Sequence, residues 1–145
     1  VSLVGSEMCI RDRGEIMISK CGISRNRDKL KSALEEVKIL SKNFKSHLKI
    51  PETNSGLNIE LEKALRLEDF IELSILMIKD AIEREESCGA HFREEYQTKE
   101  GEAKRNDDLF SHIAVWKFNS ENNSHTRFSE DLNFNKINLN TRNYK

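Results

Sequence analysis

Side chains able to do chemistry crowd into one stretch, Arg84 to Tyr96, reading Arg-Glu-Glu-Ser-Cys-Gly-Ala-His-Phe-Arg-Glu-Glu-Tyr. Glu85, Glu86, Glu94 and Glu95 with His91 and Arg93 are residue types of an acid–base centre, because a carboxylate and an imidazole held together can move a proton. Cys88 and His91 have the spacing of half a metal site, and Cys21 could join them, but a fourth ligand is lacking. The mixture of carboxylates with Arg84 and Arg93 fits a third chemistry better, an ion-pair network that docks one surface on another. Charged groups around a Gly-Ala break must in any case be paired or solvated.

The stretch sits where an apolar-striped segment gives way to polar chain. Upstream, Asn58 can cap a helix whose stripe runs Leu61, Ala64, Leu65, Phe70, Ile71, Ile75, Ile78 and Ile82, widened by Leu67, Leu73 and Leu76. Apolar over more than half its circumference, this helix is expected to be covered on two sides. Before it, Asn26 can cap a helix with Leu30, Ala33, Leu34, Val37, Leu40, Phe44 and Leu48 on one face, closed by the turn cluster Pro51 to Gly56. Ile16 to Lys20 reads as the last turns of a first helix, ended by Gly22. Downstream, Gln97 to Asp108 reads as a charged, solvated loop. His112 to Phe118 alternates like a strand, with Ala114, Trp116 and Phe118 on one face. Leu132 to Leu139 is a second, weaker alternating run after the turn Asn119 to Asn123. Residues 14–96 are thus expected to form a three-helix bundle, spectrin-repeat-like and with its first helix truncated. Residues 97–145 would add a loop and a small β-hairpin or tail, making the fold mainly α.

With 145 residues the chain is about one domain long. Apolar residues make up 37% and cluster before residue 83, so the second half has little core material of its own. A net charge of -1 gives no overall pull toward nucleic acid, and the basic run Lys20 to Lys31 lacks interleaved aromatics. No apolar run reaches the roughly 18 residues of a membrane span, and no secretory signal is visible. The reading is therefore a soluble, cytoplasmic chain. Three cysteines, Cys9, Cys21 and Cys88, suit a reducing compartment. Val1 to Arg13, VSLVGSEMCIRDR, resembles translated sequencing adapter and is expected to be non-native, with the natural start missing; Cys9 is set aside with it. Dinucleotide, phosphate-loop, Ser-elbow and CxxC motifs are absent from the sequence.

Arg84 to Tyr96 resembles the Arg-x-Glu-Ser-Arg-Gly-Ala-His-x-Arg-x-Asp signature in the C-terminal domain of the succinate dehydrogenase and fumarate reductase flavoprotein subunit. Lys20 to Asn26 is similar to the family's helix-ending Gly with Arg-Asn after it, Glu60 to Leu65 to the start of its long helix, and Arg105 to Phe110, with Asp107, to its charged run. The similarity covers Gly14 to Lys145. The longer loop from Tyr96 to Arg105 and the Thr141 to Lys145 ending resemble a branch that carries Cys, here Cys88, where others carry a second signature Arg. Glu95 stands for Asp. The commoner branch's ion pairs therefore do not transfer automatically.

The resemblance implies the C-terminal docking domain of a succinate dehydrogenase flavoprotein subunit, whose full-length form oxidises succinate to fumarate by hydride transfer to covalently held FAD and passes electrons to an iron-sulfur subunit beside a membrane cytochrome b subunit. In that setting it would lie on the cytoplasmic face of the inner membrane. The residues that hold FAD and dicarboxylate lie upstream of the matched region. On this reading the chain is a fragment, carries no catalytic, cofactor or metal residue, and is not expected to be active alone. Glu86, His91, Arg93, Arg84 and Asp107 are its expected docking residues, facing the FAD-binding domain of the same subunit. The competing expectations are a fumarate reductase or L-aspartate oxidase flavoprotein, a free-standing helical interaction module, and a small metal-binding domain.

Overall fold

The structure is a computed structural model and describes residues 6–52, 56–137 and 140. Three long helices form a bundle: α1, Ser6–Lys20; α2, Arg27–His47; and α3, Ile59–Glu83. A two-residue strand β1, Ser24–Arg25, pairs in parallel with β2, Phe92–Arg93. A single-turn helix α4, Asp107–Phe110, then leads into the antiparallel hairpin of β3, His112–Asn119, and β4, Ser124–Asp131. The mainly α architecture with a small β portion is the expected one.

Both asparagine caps form as read. Asn26 is extended, at φ -137°, and its Oδ1 accepts from the Lys29 N–H at 2.9 Å; Asn58 Oδ1 accepts from the Leu61 N–H at 3.1 Å. Each bond satisfies one orphan donor of a first helical turn. The buried face of α2 is Leu30, Ala33, Val37, Leu40 and Phe44, at the expected three- and four-residue steps. Gly22 follows α1 because a Cβ there would lie 2.7 Å from the Ile18 carbonyl oxygen. The first helix is longer than its legible last turns, reaching back to Ser6. Cys9 is fully buried, and Arg13 donates from Nη1 to Ser74 Oγ at 3.2 Å. Arg13 Nε is the one buried side-chain nitrogen with no partner among the described residues.

Two expectations need correction. On α3 the buried face is Ala64, Leu67, Ile71, Ser74, Ile78 and Ala81, whereas Leu61, Leu65, Phe70 and Leu73 are exposed. Small residues in that row let neighbouring backbones approach closely, and an apolar count cannot see this. The second strand is Ser124–Asp131, not Leu132 to Leu139. Asn123 takes a left-handed φ of 50°, which turns the chain straight back, so that Ser124 pairs with Asn119 and Phe128 with Val115. Residues Leu132 to Ile137 form no strand, and Leu139 lies outside the described residues. The expected loop before β3 also contains α4.

The wide apolar arc of α3 does have a second cover. The hairpin lies along it through Arg127 Nε to Asp80 Oδ1 at 2.9 Å, His125 Nε2 to Glu72 Oε1 at 2.9 Å, and Lys79 over the Trp116 ring at 5.9 Å. Phe70, Leu73 and Met77 remain 47–55% exposed, although the Arg13 guanidinium of α1 lies 5.5 Å over the Phe70 ring. No helix among the described residues is long and apolar enough to cross a membrane.

Candidate functional site

The end of α3 organises the signature. A helix C-terminus leaves carbonyls without intrahelical donors and carries partial negative charge. Arg93, 1% exposed, answers both needs. Its Nη1 donates to the carbonyl oxygens of Ala81 at 2.8 Å and Ile82 at 3.3 Å, and its Nε donates to Glu95 Oε2 at 3.1 Å. The Tyr96 ring covers the guanidinium at 5.5 Å. Ser87, fully buried, accepts the Arg93 N–H at 2.8 Å and donates to the Arg93 carbonyl at 3.1 Å.

The turn that brings these groups back is Cys88 to His91. Cys88 and His91 exchange backbone hydrogen bonds at 2.8 and 3.1 Å around Gly89 and Ala90. Gly89 has φ +59°, as a glycine at the first central position of a II′ turn does. His91 then lies beside Arg84 and Arg25. Its Nε2 is 2.8 Å from the Arg84 carbonyl oxygen, which can only accept, so Nε2 carries the proton. Nδ1 therefore accepts from Arg25 Nη1 at 2.8 Å. The ring is thus neutral with both nitrogens engaged. Burial and then the positive charges of Arg25, Arg93 and Arg84 hold its pKa below the ordinary histidine value, against the Arg84 carbonyl bond that raises it.

Glu86 is the second buried charge, also 1% exposed. Oε1 accepts from Arg84 Nε at 2.8 Å and Nη2 at 2.7 Å, and Oε2 accepts from the Asn106 N–H at 2.8 Å. Arg84 in turn reaches the carbonyls of Phe110 at 2.9 Å and His112 at 3.3 Å. One guanidinium thereby ties the signature to the entry of β3. Asp107 is more exposed and holds Arg105 Nε at 3.0 Å. The other acids staple the start of α2. Glu94 accepts from Ser24 Oγ at 2.8 Å and Asn26 Nδ2 at 2.9 Å, bonds that hold its pKa down. Burial pushes the Glu95 pKa up, but the Arg27 N–H and Arg93 outweigh it and lower it. Glu85 pairs with Arg27 at 3.5 Å.

Every carboxylate of the stretch is thus committed to a cation or an amide, and the two ring nitrogens of His91 bond to Arg25 and the Arg84 carbonyl rather than to a carboxylate. Cys88 and His91 meet through their backbones, and no group of three or more His, Cys, Asp or Glu is placed to hold a metal among the described residues. The structure brings Arg84, Glu86, His91 and Arg93 together and sets Asp107 at the margin beside Asn106. Sequence reasoning missed Arg25, Ser87 and the Asn106 amide. Arg25 arrives through a two-residue parallel pairing, with Glu94 N–H donating to the Arg25 carbonyl at 2.8 Å, and two residues carry no period to read. Arg25, Met77, Asp80, Ala81, Arg84 and His91 line a surface cleft of about 220 Å³.

Residues 11–144 match the family described as the fumarate reductase flavoprotein C-terminus. The corresponding chain of the CoM/CoB fumarate reductase of Methanothermobacter marburgensis is 38% identical over 97 residues, covering 66% of this chain and 17% of its own length. The fumarate reductase flavoprotein subunit of Proteus vulgaris is 30% identical over 122 residues, or 83% of this chain and 20% of that protein. The fold is similar to the FrdA chain of an E. coli quinol fumarate reductase variant, with TM-score 0.80, 22% identity, 97% of this chain and 24% of that one. It is also similar to an adenosine-5-phosphosulfate reductase, with TM-score 0.74, 16% identity, 90% of this chain and 20% of that one. The chain spans about a fifth of the length of the relatives it matches.

Proposed function

Since the chain belongs to the C-terminal domain family of succinate dehydrogenase and fumarate reductase flavoproteins, we propose that it is the docking domain of such a flavoprotein. The reactive machinery belongs to the flavin-binding portion, and this domain braces it. The observation that carries the reading is the contrast between carboxylates and signature arginines paired inside the chain and the exposed row of Phe70, Leu73 and Met77 on α3. Glu86 and Arg93 are spent inside the chain, so they act on docking by fixing the shape of the surface. Arg84 and His91 share a cleft with Met77 at its rim, and Asp107 is held by Arg105.

FAD does not fit the residues present. A groove of about 480 Å³ between α1 and α2 is open, and of its charged lining Asp12, Glu15, Glu36 and Lys20, the one cation is paired with Glu36, so it offers a pyrophosphate no free positive charge. No glycine-rich phosphate loop occurs in the sequence. In the full-length subunit FAD would sit in the other portion and supply hydride transfer between succinate and fumarate, with electrons leaving to an iron-sulfur subunit and a membrane cytochrome b subunit on the cytoplasmic face. Succinate oxidation is the first reading of such a subunit, with a fumarate reductase, the name that the relatives carry, or an L-aspartate oxidase as its alternatives. The test is to assay the 145-residue chain alone for flavin binding and for succinate–fumarate turnover. Neither is expected; saturable flavin binding or turnover by the chain alone sinks the proposal.

A further inference from the structure

Arg25 is the half-buried cation at this site whose charge nothing nearby answers. Nε donates to the Gly22 carbonyl at 2.6 Å and Nη1 to neutral His91. Neither partner carries negative charge, and the remaining guanidinium donors have no acceptor among the described residues. The charged groups sharing its cleft are engaged elsewhere: Asp80 pairs with Arg127 at 2.9 Å, and Arg84 pairs with Glu86. A guanidinium withdrawn from water without a counter-ion is unfavourable, and its planar fork suits a carboxylate. At about 220 Å³ the cleft is smaller than the roughly 300 Å³ of ordinary small-molecule sites. It has room for a side chain and not for a drug-sized ligand. Met77 in its lining continues the exposed row of Phe70 and Leu73.

We infer that an Asp or Glu side chain from the flavin-binding portion of the same subunit enters this cleft and pairs with Arg25, while apolar side chains around it cover Phe70, Leu73 and Met77. The inference rests on the docking reading above and names its anchor. The occupant is placed in that portion because the relatives are about five times longer than the match, and the charge to be answered is positive.

Carbodiimide coupling tests it directly, because it joins an amine to a carboxylate only when the two are in contact. Arg25→Lys in the full-length subunit keeps the charge and supplies the amine. Met77→Lys, treated with an amine-reactive spacer cross-linker, reports whether this face meets the flavin-binding portion at all. The expected result is an amide from position 25 to one Asp or Glu of that portion, lost when that acid is changed to Asn or Gln, together with spacer links from position 77. Spacer links from position 77 without an amide from position 25 overturn the carboxylate anchor and leave docking standing. No link from either position overturns both.

Discussion

At the residue scale, the signature is a local device for ending a long helix with two buried charges inside the chain. Arg93→Met should leave the Ala81 and Ile82 carbonyls without donors, at a cost of about 2–4 kcal/mol. In the full-length subunit this should appear as faster amide exchange through the last turns of α3; unchanged exchange would show that water replaces the arginine freely. Glu86→Gln should be similarly damaging, because Arg84 would keep its burial and lose its carboxylate. His91 gives a pH signature whose sign follows from its lowered pKa. The unfolded chain binds the proton more tightly, so stability is fully present above the ordinary histidine pKa of about 6.5 and is lost as pH falls toward the folded value. A His91→Asn variant should flatten that slope, and an equal slope in both proteins would contradict the neutral tautomer. Gly89→Ala should cost roughly 1 kcal/mol through its left-handed φ.

At the element scale, the caps and the α2 face were legible because each depends on residues a few positions apart. Asn26→Ala should cost about 1 kcal/mol, read as lost amide protection in the first turn of α2. The buried face of α3 was not legible. Leu65 and Phe70 satisfy a helical period as well as Leu67 and Ile71 do, and the row that is buried contains the small Ala64, Ser74 and Ala81, with Ser74 meeting Arg13 of α1. The β4 register was hidden for a related reason: Ser124 to Asp131 is mostly polar, and its pairing rests on the Asn119–Asn123 turn and on Arg127 reaching Asp80. Arg127→Ala should therefore loosen the hairpin from α3 while the bundle stays formed, seen as faster exchange in β3 with α2 unchanged. The ionic nature of the signature could be read from composition; its partners could not, since Arg25 and Asn106 lie 66 and 20 residues from their contacts.

At the scale of the whole molecule, a bundle braced by one hairpin still presents Phe70, Leu73 and Met77 to solvent beside a cleft with an unanswered cation. On the docking reading proposed above, such a surface is kept for a neighbour of the same polypeptide. Amide exchange at Phe70 to Met77 and at Ser24 to Asn26, compared between the 145-residue chain and the full-length protein, measures this most directly. At least roughly tenfold slower exchange in the full-length protein is the predicted result; equal rates in the two would mean that nothing covers this face, and the docking account would fall.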